Sequence, residues 1–444
     1  MHIPDGYISP ATCGVLYLTA APFWVVAANK VRRALTGRTV PLLSIFAAFT
    51  FAIMMFNVPV PGGTTAHGVG GTLTAIVLGP WASVITTSVA LILQALFFGD
   101  GGITAIGANC FNMAIVLPFA GYFSYRLLAG DSDMRSQRRV IAAAIGSYIG
   151  ISIAALCVGV ELGIQPHLWS TNGVPDYSPY GFSTAIPSML LAHLAGASFV
   201  EAAITALAVG YLQRSFPEIL TRNQKTGTTE PGRAINPWLP AGAFCAFAVA
   251  FVFIAGLIKG NGHLASWAGL DWNSVSWNDA AATVLVSAVV SVVVLPVTYY
   301  VMRRARGARV AVMVFLALMI WVPVGLIAPG GAFGEDASAT RQEIDAAVAA
   351  RNAGDASLFE ALPDVNQECA CVPVKINSVT FSGHTVLAGY QPPWVQASDP
   401  AWQQNIGYQV AGLVGVGILG LLSYGLYQFG RWLVPQAPPD WRTA

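Results

Sequence analysis

Charge is what this sequence has least of. Asp, Glu, Lys and Arg make up 10% of its 444 residues and leave a formal net charge of +1, against about a quarter charged in ordinary soluble domains. A chain so poor in charge cannot solvate a large aqueous surface, and without a basic surplus it offers no face to nucleic acid. Cysteine is nearly as scarce. Cys13, Cys110, Cys157 and Cys245 fall in apolar stretches and only Cys369 and Cys371 in a polar one, which excludes a disulfide scaffold. No GxxxxGK[ST] phosphate loop occurs, so the chain is not itself a nucleotide hydrolase of that type. Early positive charge is missing too. The first Lys or Arg is Lys30, behind an apolar stretch, whereas a cleaved secretory leader needs a basic start; the N-terminus is expected to stay intact.

What is present is apolar. Hydrophobic residues reach 55%, with a mean hydropathy of +0.61. Runs near or above the roughly 20 residues that span a bilayer occur at 11–29, 40–57, 72–98, 104–125, 139–160, 187–213, 238–259, 281–302, 309–329 and 409–432. Basic clusters at 30–38, 126–140, 213–225 and 303–309 mark the cytoplasmic side and put Met1, the 58–71 loop and the 161–186 loop outside. Between Gly71 and Arg126 the chain must then cross an odd number of times, where only two runs are visible. A break of the 72–98 run at Gly79-Pro80, where proline removes a backbone donor, restores the parity. Broken helices persist in lipid only where protein or a water-filled cavity covers the freed backbone, which marks Thr64 to Asn112 as the functional core.

The expected fold is an all-α polytopic membrane protein with about seven transmembrane helices in residues 1–225 and about four more beyond. Residues 226–308 form an additional hairpin, and 309–444 a further hairpin with a small extracytoplasmic domain at about 330–408. That external segment holds TRQEIDAAVAAR, with a Thr340/Glu343 capping box, and VKINSVTF, a strand candidate. The protein is expected in the cell membrane, N-terminus outside and C-terminus in the cytoplasm.

The chain opens MHIPDGYISP. A free amine, the next amide nitrogen and the Nδ1 of a histidine at position 2 close a five- and a six-membered chelate ring on one ion. A fourth nitrogen would complete a square plane, the geometry of Ni(II) or Cu(II) rather than of Mg or Ca. His67, in the glycine-rich external loop PVPGGTTAHGVGG, is the candidate; His2 as a plain terminal residue and His67 as a solvated loop histidine are the alternatives.

MHIPDGYISP resembles the start of the cobalt and nickel uptake proteins CbiM and NikM, the substrate-binding membrane subunits of energy-coupling-factor transporters. The resemblance continues through AHGVGGTLTAIVLGPWASVITTSVALILQALFFGDGGITAIGANCFNMAIVLPF and MLLAHLAGASFVEAAITALAVGYL. It implies a transported Ni²⁺ or Co²⁺ held by the Met1 amine, the His2 amide and ring and the His67 ring, with no prosthetic group and no enzymatic activity. It also implies partners: a transmembrane coupling subunit and two cytoplasmic ATPase subunits. Residues 309–444 look like a fused small subunit of the CbiN or NikN kind, from which the long external segment departs.

Metal-bound histidines usually have their other ring nitrogen held by a neighbour, for which Asn109 and Asn112 are candidates, with helix packing as the alternative. Gln94 reads as structural or supporting, and Asp100, in GDGG, as a turn or cap residue. His193 and Glu201, about 12 Å apart along one helix, share a face but cannot chelate one ion together, unlike an H-E-x-x-H pair. Either they bond neighbouring helices or they line a path. His167, His263 and His384 read as surface residues, while Cys369 and Cys371 could bind soft metal or pair. A carrier working without ATPase partners, and a membrane metal sensor acting through the external domain, are the rival functions.

Overall fold

The computed structural model of the protein describes residues 1–34, 39–60, 64–171, 174–221, 277–304, 306–323, 390–396 and 399–433, with single residues or pairs between 238 and 249 and Leu387. Most of the 238–259 run, most of the external segment, Cys369, Cys371, His263 and His384 lie outside the described residues.

Within them the protein is all-α, as its long apolar runs predict. Seven helices are long and apolar enough to cross a membrane: Pro10–Arg32, Pro80–Phe98, Ile106–Ala129, Gln137–Leu168, Phe182–Ser215, Ala281–Val301 and Ala401–Leu422. Leu42–Met55 and Val312–Trp321 are apolar but shorter. The exceptions to helix are two small antiparallel hairpins, of which β1 (Asn57–Val60) and β2 (Thr64–His67) place Asn57 opposite His67.

Each boundary near the site has a local cause. Helix α1 (Pro10–Ala34) begins where Ser9 caps it, its hydroxyl accepting the Thr12 N–H at 3.1 Å, with proline at the first helical position, where no N–H is needed. The break expected at Gly79-Pro80 is present. Gly79, at φ 93°, ends α3 (Gly71–Leu78) and Pro80 starts α4 (Pro80–Leu93). The pieces are unequal: α3 has eight residues, about 12 Å, and α4 continues through a π-helical turn, Gln94–Phe98, to full membrane length.

Further π turns follow at Cys110–Val116, between α5 (Ile106–Asn109) and α6 (Leu117–Ala129), and at His193–Ala197, between α8 (Phe182–Ala192) and α9 (Ser198–Ser215). Such bulges shift side chains out of helical register and gather at functional sites. Helix α7 (Gln137–Gly163) crosses α6 at close range. A Cβ on Gly150 would lie 2.7 Å from the Leu117 carbonyl, and one on Gly146 2.7 Å from that of Gly121, the small-residue contact by which helices associate in lipid.

The C-terminal helix Ala401–Leu433 packs against α2 (Thr39–Met55). A Cβ on Gly415 would fall 2.1 Å from the Phe51 ring, and one on Gly412 2.4 Å from Met319. Phe51, Phe56 and Phe98 fill the core beneath this crossing. The C-terminal part therefore rests directly on the helix that leads into the His67 hairpin.

Candidate metal centre

The first nine residues are not a loose tail. Asn109 Oδ1 accepts the Ile3 N–H at 2.7 Å and its Nδ2 donates to the Ile3 carbonyl at 3.1 Å. That carbonyl also accepts from Gly102 N–H at 2.8 Å. Two residues on, the Asp5 carboxylate takes the backbone N–H groups of Ile103 and Thr104 at 3.1 and 2.8 Å, and the Thr104 hydroxyl. The Tyr7 carbonyl accepts from Ser178 N–H, and Ser9 N–H donates to Gln165 Oε1. An extended segment has no helix to satisfy its backbone, so burial demands such partners.

This clamp delivers His2 to His67. His2 Nδ1 lies 3.1 Å from His67 Nε2 and 3.0 Å from Asp100 Oδ1. Gly99 and Gly101, at φ 69° and 84°, make the turn on which Asp100 stands, a conformation glycine adopts without strain. Gly101 also gives His2 room, since a Cβ there would meet the ring at 3.2 Å.

Hydrogen-bonding roles follow from the partners. His67 Nδ1 donates to the Gly68 carbonyl at 2.9 Å, which leaves Nε2 as a lone pair. His2 Nδ1 then faces two acceptors, His67 Nε2 and Asp100 Oδ1, and must carry the ring proton. Burial, reinforced by the charge of the Met1 amine, lowers the His2 pKa to about 3 and the His67 pKa well below its ordinary value. Burial raises that of Asp100. The His2–Asp100 contact is thus a hydrogen bond from a neutral ring rather than an ion pair.

Two cis donors each about 2.0 Å from one ion are about 2.8 Å apart, close to the observed 3.1 Å between the ring nitrogens. A proton on His2 Nδ1 stands where an ion would sit. Among the described residues no three His, Cys, Asp or Glu side chains are arranged to hold an ion by themselves.

Other candidates fall elsewhere. Neither Asn109 nor Asn112 holds a histidine ring: Asn109 clamps Ile3, and Asn112 Nδ2 donates to Glu161 Oε2 at 2.7 Å. The second nitrogen of His67 goes instead to its neighbour's carbonyl. Asp100 is more than a turn residue, because the turn aims its carboxylate at His2. Glu201 accepts the N–H groups of Val69 and Gly70, which follow His67 in the same loop. His193, set off from Glu201 by the π turn, donates from Nδ1 to the Met189 carbonyl at 2.8 Å. His167 is exposed and stacks on Phe182.

Tyr390 has no counterpart in the sequence reading. It comes from the C-terminal part, is buried, and donates its hydroxyl to Asp100 Oδ2 at 2.5 Å while accepting from Gln94 Nε2 at 2.8 Å. No motif surrounds it, so nothing in the sequence marked it.

Comparison with known proteins matches the chain to a family. The family described as cobalt uptake substrate-specific transmembrane region, CbiM, matches residues 2–219. The fused nickel transport protein NikMN of Rhodobacter capsulatus is 45% identical over 283 residues, 64% of this chain and 80% of its own length. The cobalt transport protein CbiM of Sorangium cellulosum is 32% identical over 229 residues, 50% of this chain and 96% of its own. Among solved structures, that of a truncated transition metal transporter is 53% identical and covers 48% of this chain and 98% of its own, with a TM-score of 0.45.

Proposed function

Because the chain belongs to the CbiM family, with a fused NikN-like C-terminal part, we propose that it is the substrate-binding component of an energy-coupling-factor transporter that takes up Ni²⁺ or Co²⁺. It is a multi-pass membrane transport protein, not an enzyme. The observation that carries the reading is the buried approach of His2 Nδ1 to His67 Nε2 at 3.1 Å, beside the start of the chain.

In this reading the ion enters from outside and is held by the Met1 amine, the His2 amide nitrogen and Nδ1, and His67 Nε2. Four nitrogens in one plane, and an affinity order that rises from Co²⁺ to Ni²⁺, favour nickel. The relative fused in the same way carries nickel in its name. Asn109, Gly102 and the Asp5 clamp supply the rigidity that lets a chain terminus act as a preformed ligand, and release requires the segment to be drawn away from His67.

That withdrawal needs work from outside the chain, which has no phosphate loop. A membrane coupling subunit and two ATPase subunits would deliver it through the basic cytoplasmic loops at 30–38, 126–140 and 213–225. The N-terminus then faces outward and the C-terminus the cytoplasm. Residues 1–225 serve as the metal-binding domain, 226–308 as an added hairpin and 309–444 as the NikN-like part.

Calorimetric titration of the untagged protein in detergent with Ni²⁺ and then Co²⁺, beside a version with one residue added before Met1, tests the reading. One-to-one binding lost on extension is expected. Binding that survives extension would move the site away from the chain start.

A further inference from the structure

Two buried polar atoms beside the centre, His2 Nε2 and Gln94 Oε1, have no hydrogen-bond partner among the described residues, although the two side chains adjoin each other. Leaving such atoms unpaired costs about 1–3 kcal/mol each, so both lacking partners in one place points to a second arrangement that satisfies them together.

The orientation of the Gln94 amide is not free. The Tyr390 hydroxyl has one proton, given to Asp100 Oδ2 at 2.5 Å, and its lone pair takes Gln94 Nε2 at 2.8 Å. The same Nε2 donates to Asp100 Oδ2 at 3.3 Å. Both partners offer acceptors, so the amide nitrogen must face them and the oxygen must face away. Tyr390 is itself rigidly placed. Its backbone is left-handed, at φ 60°, its ring stacks on Phe98 at 4.9 Å, and the nearby Leu387 N–H donates to the Phe97 carbonyl.

An ion on His2 Nδ1 obliges the single proton of the neutral ring to reside on Nε2 instead. We propose that Gln94 Oε1 accepts this Nε2–H in the metal-bound centre, and that Tyr390, by orienting Gln94, is a positioning residue contributed by the C-terminal part. The inference rests on the metal-centre reading above. One ring proton is present before and after: the Nδ1–H bond shared between Asp100 and His67 is lost, and an Nε2–H bond to Gln94 is gained. The unpaired atoms of the metal-free state become partners in the loaded one, which favours the tautomer that binds metal. Outer partners of this kind typically change metal affinity 10–100-fold.

The test uses the full, untagged chain in detergent with ¹⁵N-labelled histidine. Nickel titration and ring-nitrogen NMR of the nickel-loaded protein compare the wild type with Gln94→Met, Tyr390→Phe, the double variant and His2→Ala. Each single variant is expected to weaken nickel binding roughly 10–100-fold and to shift the His2 Nε2–H resonance, with the visible absorption of bound nickel unchanged because all four donors remain. The double variant should fall well short of the product of the two effects, since the residues act as one unit. Wild-type affinity with an unshifted Nε2–H resonance in both single variants, or an effect equal to the product, would overturn the proposal and leave the centre standing. Unchanged affinity in His2→Ala would instead overturn the centre itself. Should Tyr390→Phe fail to fold, the resonance in Gln94→Met decides.

Discussion

Glu201 holds Gly70 from 131 residues away. The Gly70 N–H lies 3.0 Å from both carboxylate oxygens, and the Val69 N–H 2.8 Å from Oε2. The carboxylate is fully buried, which is tolerable only with such donors. The loop wraps it so closely that a Cβ on Gly68 would stand 2.9 Å from Oε2. Because His67 lies just ahead of these residues, the buried acid fixes the loop that carries the proposed ligand.

Glu201→Gln replaces one acceptor oxygen with an amide group that faces N–H donors. The expected cost is about 1–3 kcal/mol of stability and, through His67, a roughly 10–100-fold loss of nickel affinity. Thermal unfolding and calorimetry of the same preparation measure the two. Stability lost with affinity intact would mean that the loop is not what holds His67 in place.

The ligands themselves should be far less forgiving. His2→Ala removes a ring donor from a tridentate grip, and His67→Ala opens the fourth position. Each should weaken nickel binding by roughly a thousandfold or more, about 4 kcal/mol, with little change in melting temperature, because the clamp on Ile3 and Asp5 uses other atoms. Wild-type affinity in either variant would exclude that residue from the centre.

The pH dependence has a definite sign. Both imidazoles have lowered pKa values, His2 at about 3, so they are already neutral at pH 7 and release nothing when metal binds. The protons come from the amide and from the amine, which titrates near 8 when unperturbed. Affinity should therefore rise with pH, with about two protons released per ion near pH 7 and about one above the amine's pKa. It should not steepen as pH falls through the ordinary histidine range. Nickel titrations in buffers of different ionisation enthalpy count the protons; three or more at pH 6 would mean that the rings titrate normally.

Much of this architecture was legible because it follows from chemistry that single residues announce. Proline at position 80 marks the broken helix. The MH start announces the proposed donors directly, and the glycine-rich loop that carries His67 does come close to it. Asp100 was legible only as a turn, because flanking glycines encode backbone shape but not where a side chain points. Glu201 stood out as an acid in an apolar helix, but its partners are backbone amides, which leave no mark in a sequence. Tyr390 meets the centre across 290 residues, from a segment with no motif.

Asn109 ties the terminal segment to α5 through Ile3. It holds Ile3 by both backbone groups, neither of which is one of the four proposed nitrogen donors. Asn109→Ala should leave the absorption spectrum of bound nickel unchanged and accelerate its loss to a chelator, by roughly tenfold for about 1.4 kcal/mol of lost clamp. Stopped-flow competition reads the rate directly. A changed spectrum with an unchanged rate would place Asn109 within the coordination geometry rather than behind it.

The most economical way to expel the segment is to fill the space it occupies. A Cβ on Gly102 would lie 2.4 Å from the Asp5 amide nitrogen and 2.6 Å from its carboxylate, distances no side-chain rotation can relieve because one neighbour is backbone. Gly102→Ala therefore has to push residues 3–5 outward and carry His2 away from His67, breaking the Gly102 N–H bond to Ile3 as it does so. The helices do not depend on that contact, so the protein should fold and melt near the wild-type temperature while nickel binding falls by roughly a hundredfold or more, about 2.7 kcal/mol. Full affinity in this variant would mean that the chain start binds metal without the seat the GDGG turn provides, and the preformed-ligand account of the centre would have to be given up.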